Sequence, residues 1–204
     1  MRGLLIAFEG LDQSGKQTQA ETLRDRVVAA GRLVRLLSFP AYDTAIGSEI
    51  GKALQGEREY GPDVMQLLYV ANRYEWKPQI EGELERGTVL ICDRYLASSV
   101  AYGDAQGLDP AWLLDMQRHL PQPDLTFLLD IDPGVSARRK TADRDKYERD
   151  LALLARVRES YVHQASHLRA SRYGAQAGGW VRLDANRDRD AVAIDVWNSV
   201  APLL

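Results

Sequence analysis

Between Glu9 and Gln19 the chain reads Glu-Gly-Leu-Asp-Gln-Ser-Gly-Lys-Gln-Thr-Gln. The spacing of Gly10, four residues, Gly15 and Lys16 follows an apolar run, Leu4 to Phe8, and precedes Ala20, Leu23, Val27 and Val28 at helical intervals. Strand, glycine-rich loop and helix in that order admit few folds, and they point to a phosphate-binding loop at the carboxyl edge of a parallel sheet. Glycines let backbone N–H groups turn inward around phosphate oxygens. The new helix adds its positive end, and Lys16 reaches the outer phosphates. Gly10, Leu11, Asp12, Gln13, Ser14, Gly15, Lys16, Gln17 and Thr18 are thus the candidate cradle for a nucleoside triphosphate. Such loops usually follow the lysine with a hydroxyl that meets Mg²⁺. Here Gln17 stands in that place, and Thr18, one residue on, is the substitute.

Apolar runs at 4–9, 33–39, 88–93, 125–131 and 180–183 alternate with segments of helical spacing at 16–30, 44–55, 62–86, 110–119, 148–170 and 188–200. The alternation predicts an α/β fold in three layers, a five-stranded parallel sheet with helices on both faces, and one domain over 1–204. Val89 to Cys92 and Thr126 to Leu129 are continuous runs of the kind buried on both faces. Each ends at an aspartate. Ligands of such sheets bind beyond the carboxyl ends of the strands, so Glu9, Phe39, Asp93 and Asp130 are expected along one edge. Gly31 and Gly87 stand where helix caps belong. Residues 138–146 read Arg-Arg-Lys-Thr-Ala-Asp-Arg-Asp-Lys. This stretch is either a solvated loop or part of a mobile lid, at about 138–148, that brings cations over transferring phosphates.

The formal charge of −3 argues against a surface built to bind nucleic acid. The one cysteine, Cys92, lies in an apolar run and reads as a buried structural thiol. The chain enters its first strand without a charged leader, and no apolar stretch reaches the length of a membrane span, which points to the cytoplasm and to no membrane partner.

Three further constellations bear on chemistry. Asp93-Arg94-Tyr95 directly follows an apolar strand, placing a carboxylate to hold Mg²⁺ and an arginine to grip phosphate; the alternative is an ion pair that ties a loop. Asp130 and Asp132 rank behind Asp93 as metal candidates because they lack an adjoining arginine. Tyr69 and Arg73 share a helix face at i, i+4 spacing and offer a ring for stacking and a donor fork for a base edge. His163 and His167 have the same spacing, but no third ligand stands near them and they read as surface residues. Glu81, Glu83 and Glu85 read as a solvated charge run.

In order along the chain, Phe-Glu-Gly-Leu-Asp at 8–12, Gly-Lys-Gln-Thr-Gln at 15–19, Phe39-Pro40, Ile46-Gly47, Ala-Asn-Arg at 71–73, Asp-Arg-Tyr at 93–95, Ser98, Ala101-Tyr102 and Pro123-Asp124-Leu125 resemble the thymidylate kinases of the nucleoside monophosphate kinase group. The resemblance implies transfer of the γ-phosphoryl group of ATP to dTMP, with Mg²⁺, usually in a homodimer. It places Asp12 at the acceptor's 3′-hydroxyl, Arg94 on phosphate and Asp93 near magnesium. Tyr69 stacks on thymine and Arg73 contacts the base, while Phe39, Ser98 and Tyr102 belong to segments lining the acceptor. In the lid it places Arg139 against adenine, and Lys146 and Tyr147 toward the phosphates and the acceptor. Gln13 beside a basic lid matches the subtype whose catalytic cation comes from the lid, with Arg144 the candidate and Lys146 beside it.

Three positions depart from the family pattern. Tyr42 and Gly103 replace residues that often serve the acceptor, and Gln17 shifts the loop hydroxyl as adenylate kinases do. Two alternatives stay open: a deoxynucleoside kinase with Glu9 as base, and a nucleotide-binding regulator without catalysis.

Overall fold

The computed structural model describes residues 2–139, 150–167 and 179–204. Five parallel strands, β1 (Leu5–Glu9), β2 (Val34–Ser38), β3 (Val89–Asp93), β4 (Leu125–Asp130) and β5 (Gly179–Asp184), form one sheet in the order β2-β3-β1-β4-β5. From β1 the chain winds to one side through β2 and β3, then to the other through β4 and β5. The carboxyl ends on either side of β1 are therefore where a crevice opens. Register pairs Phe8 with Asp93 and with Phe127, and the Phe8 and Phe127 rings stack with centroids 5.1 Å apart.

The helices are α1 (Lys16–Ala29), α2 (Ala45–Gln55), α3 (Pro62–Glu85), α4 (Leu96–Asp104), α5 (Pro110–Met116), α6 (Pro133–Arg139), α7 (Leu151–His167) and α8 (Arg189–Val200). Side-chain alternation along the strands divides the core. Leu5 and Ala7 of β1 and Leu90 and Cys92 of β3 pack with Ile80 and Leu84 of α3. Ile6, Phe8 and Ile91 join Leu23 and Val27 of α1 and Val192 and Val196 of α8. Cys92 is fully buried, and its thiol is pushed up beyond the usual range by burial.

Two helices escape the sequence pattern. In α4 nearly every residue is buried, Leu96 through Ala101 and Gly103, so no polar face marks a helical period. In α6, Asp132 accepts hydrogen bonds from the N–H groups of Gly134 and Val135, with Pro133 opening the helix. Arg138 and Arg139, expected in the lid, form its last turn. The helix expected at 110–119 stops at Met116, and Gln117 turns inward. Glu83 is not part of a solvated run: it accepts from Thr88 Oγ1 at 2.8 Å and pairs with Arg86 at 2.9 Å.

Asp130, a rival metal candidate, is occupied. Arg158 of α7 donates to it at 2.6 and 3.2 Å, and Arg182 of β5 at 3.0 and 2.6 Å. Burial works to raise its carboxyl, but these hydrogen bonds outweigh it and hold the group below the ordinary 3.8. A depressed folded-state value contributes stability above the unfolded value and loses it as pH falls through the folded one. Asp130→Asn is therefore expected to melt below the parent throughout the neutral range, with the gap closing only below pH 3.8. Melting curves in an acid series check this, and a gap unchanged down to global acid unfolding would refute it.

Candidate functional site

The loop after β1 is shaped by two glycines. Gly10 has φ 137° and lies so close to β4 that a Cβ would stand 2.5 Å from the Leu129 carbonyl oxygen. Gly15 ends the loop at φ 93°, the left-handed conformation from which α1 starts. Gln13 also takes a positive φ of 59° without being glycine, a strain that functional loops commonly store. Inside this loop Lys16 is 6% exposed and its Nζ donates to the Leu11 carbonyl at 2.8 Å. Burial, and then the charge of Arg94, lower the lysine from its ordinary 10.5, with Asp12, Asp93 and Glu9 opposing. The Ser14 hydroxyl is buried without a partner. From α6, Ser136 Oγ donates to the Asp12 carbonyl at 2.7 Å, and Arg139 donates to Gln13 O at 3.1 Å and Ala185 O at 3.0 Å. Arg139 thus bridges the glycine loop and the β5–α8 turn.

Arg94 follows β3 with a positive φ of 63°. Its Nη2 donates to Asp12 Oδ1 at 2.8 Å, and its Nη1 donates to Gly10 O, Ser98 Oγ and Tyr161 OH. The Tyr102 ring lies 5.4 Å from the guanidinium, and its hydroxyl donates to Asp12 at 3.2 Å. Burial works to raise the Asp12 carboxyl, but Arg94 and Lys16 outweigh it and hold it well below the usual range. Burial works to lower the Arg94 guanidinium, but Asp12 outweighs it and holds the group well above the ordinary arginine range.

Glu9 is not available as a base. It is fully buried and accepts from Tyr95 N–H at 2.9 Å, Ser98 Oγ at 2.7 Å and Tyr161 OH at 3.2 Å.

A cavity opens beside Arg94, lined by Asp12, Arg94, Ser98 and Tyr102, which hydrogen bonds join, and by Tyr69, Arg73, Gln66 and Ser99. Phe39, Pro40, Tyr42, Leu54 and Gln106 complete the wall. The structure therefore brings together Asp12, Phe39, Tyr69, Arg73, Arg94, Ser98 and Tyr102. Arg73 is 3% exposed, and its Nη1 donates to Ser99 Oγ at 2.7 Å and Gln117 Oε1 at 3.3 Å. Gly103 lies away from the cavity, its would-be Cβ 2.6 Å from Leu113.

Asp93 ends β3 with Oδ1 buried and unpartnered. Thr18, in the first turn of α1, is half-buried, whereas Gln17 is exposed and donates to Glu21 at 3.0 Å, out of the site. Among the described residues no three of His, Cys, Asp and Glu cluster as a metal site. His163 is exposed. Arg144, Lys146 and Tyr147 lie outside the described residues.

Sequence reasoning missed the amides behind this site. Asn72 grips the Ala41 N–H and carbonyl at 2.8 and 3.1 Å and so fixes the loop carrying Phe39. Gln117 donates to Leu96 O and Leu113 O, which turns its oxygen toward Arg73. An asparagine inside a helix, a poor helix former, was the available signal for the first. The second had none, because Arg73, the residue it orients, lies 44 residues away.

Residues 8–185 match the family model described as thymidylate kinase. The thymidylate kinase of Schizosaccharomyces pombe is 38% identical over 148 residues, 72% of this chain and 70% of that one. The thymidylate kinase of Plasmodium falciparum is 31% identical over 203 residues, 99% and 91% of the two chains. In three dimensions the thymidylate kinase of Candida albicans matches with a TM-score of 0.83 at 29% identity, over 98% of this chain and 92% of that one. The chain belongs to the thymidylate kinase family.

Proposed function

We propose that this chain transfers the γ-phosphoryl group of ATP to dTMP, giving ADP and dTDP. The observation that carries the reading is the position of Arg94, which reaches from the phosphate loop to the cavity that holds Tyr69 and Arg73. In this reading the loop from Gly10 to Thr18 cradles the triphosphate, with Lys16 and the Ser14 hydroxyl turned to its oxygens and Arg139 lying against the adenine. The acceptor's phosphate meets Arg94, its 3′-hydroxyl meets Asp12, and its base lies between Tyr69 and Arg73. Phosphoryl transfer asks the protein mainly for positioning and fixed positive charge. Lys16 and Arg94 supply these among the described residues, and Arg144, Lys146 and Tyr147 are assigned to the same task from the lid.

The residues present fit Mg²⁺, which is usually held by one or two carboxylates together with substrate phosphates. Asp93, with its unpartnered oxygen, and Thr18 would hold it. When bound, the ion would neutralise negative charge on the substrate phosphates. A neutral 5′-hydroxyl acceptor is disfavoured because Glu9, the base such a reaction needs, is fully buried, accepts three hydrogen bonds and is not part of the cavity wall. The reading includes a homodimer through α3, supported by the exposed apolar Val64 and Leu67, 37% and 48% exposed. It also includes one domain over 1–204 and a cytoplasmic location; no helix among the described residues is long and apolar enough to cross a membrane.

A coupled assay with ATP and Mg²⁺ across dTMP, dUMP, dCMP, GMP and thymidine tests the activity. Turnover is expected to favour dTMP and to cease on chelation. Equal turnover of all acceptors, or preference for thymidine, would refute the reading. Sedimentation of the same preparation at a single chain's 22.9 kDa would refute the dimer.

A further inference from the structure

The wall of the cavity carries a polar group that the protein itself leaves unsatisfied. Gln66 lies on α3, three residues before Tyr69 and seven before Arg73, so the three share one helix face, and all line the cavity. Gln66 is 1% exposed, yet its Oε1 has no hydrogen-bond partner. Gln117, which is off the cavity wall, is satisfied by contrast, with Nε2 bonded to two backbone carbonyls and Oε1 accepting from Arg73. A buried carboxamide oxygen without a donor is unfavourable, and an apolar side chain of the same length would avoid the penalty. On a cavity wall, such a group implies a donor that arrives with the ligand.

We propose that Gln66 is a specificity-determining residue for the base, its carboxamide oxygen accepting the N3–H of the pyrimidine. The proposal rests on the reading of this cavity as the dTMP site. The pairing edge of thymine carries one donor, N3–H, between two carbonyl acceptors. Arg73 has only donors to offer, so it matches a carbonyl and leaves N3–H unread. The Ser99 hydroxyl already accepts from Arg73. Gln66 supplies the missing acceptor. Cytosine has a bare ring nitrogen at position 3 and an amino group where thymine has a carbonyl, so it opposes both residues at once. A site built to hydrogen-bond one group rejects the analogue lacking it far more strongly than a purely apolar pocket does.

The test is Gln66→Met, which keeps length and removes the polar end. Steady-state kinetics with dTMP and dCMP are combined with melting curves of the full chain without nucleotide. KM for dTMP is expected to rise about tenfold with kcat within about twofold, because the lost contact is present equally in ground and transition states. Selectivity for dTMP over dCMP is expected to narrow about tenfold. The empty variant is expected to melt at the parent temperature or above it, since it buries no unsatisfied oxygen. An unchanged KM and selectivity would overturn the proposal, as would a lower melting temperature with kcat and KM impaired together, which marks a packing role. A parent enzyme that turns over no dTMP would overturn the cavity reading and this proposal with it; an active parent with an indifferent variant would overturn this proposal alone.

Discussion

Lys16→Ala is expected to lower kcat by at least about a hundredfold, a loss of about 3 kcal/mol of transition-state stabilisation, while KM for dTMP stays within about threefold of the parent. The asymmetry follows from geometry. Lys16 is 6% exposed, lies inside the loop after β1, and is not part of the wall of the acceptor cavity. Removing it withdraws charge chiefly from the donor side, since Arg94 remains paired with Asp12 at the acceptor. Stability is expected to move the other way in the companion variant Lys16→Met, which keeps the apolar stem and drops the ammonium. Burial is the largest influence on this lysine and lowers it from 10.5, so the folded chain holds the charged form at some expense. Lys16→Met is therefore expected to melt no lower than the parent, burial outweighing the lost bond to Leu11 O and the lost attraction of Asp12, Asp93 and Glu9. Stopped-flow or coupled kinetics beside calorimetry decide both points. Activity within tenfold of the parent would remove Lys16 from the transfer step.

Why the sheet was legible and parts of the site were not is a matter of which forces leave a local trace. Strands buried on both faces write continuous apolar runs, so β3 and β4 were evident as Val89 to Cys92 and Thr126 to Leu129. The loop at Gly10 was evident because one close approach, to Leu129 O, and one left-handed turn, at Gly15, each demand a particular residue. Helix α4 was invisible for the opposite reason: burial all round leaves no polar face and hence no period. The residues around Arg94 were found as motifs, but their mutual arrangement was not. Nothing local tells that Tyr161, 67 residues from Arg94, shares its fork, or that Ser136 ties α6 to the loop at Asp12. Glu9 shows the cost of that blindness. A strand-end carboxylate beside a phosphate loop looks like a base from sequence. Only the three hydrogen bonds that converge on it show a buried anchor.

Arg94→Ala is expected to lower kcat/KM for dTMP by about a thousandfold or more, about 4 kcal/mol, with KM for ATP within about threefold of the parent. Arg94→Lys is expected to recover little, because a single ammonium cannot reproduce a planar fork that meets Asp12 through one nitrogen and Gly10, Ser98 and Tyr161 through the other. The backbone supplies an independent check. Arg94 sits at φ 63°, a conformation that side chains bearing a Cβ adopt at an expense of about 1–3 kcal/mol and that glycine adopts freely. Arg94→Gly is therefore expected to be as inactive as Arg94→Ala yet to unfold at higher denaturant, by about 1 kcal/mol. The two variants lose the same guanidinium and expose Asp12 alike, so their difference isolates the strain. Equal stability of the two would show that the positive φ is not maintained against resistance. Activity in either within tenfold of the parent would show that the acceptor is held elsewhere. If both expectations hold, the fold maintains an unfavourable backbone angle in order to aim one arginine from the end of β3 across the phosphate loop into the acceptor cavity.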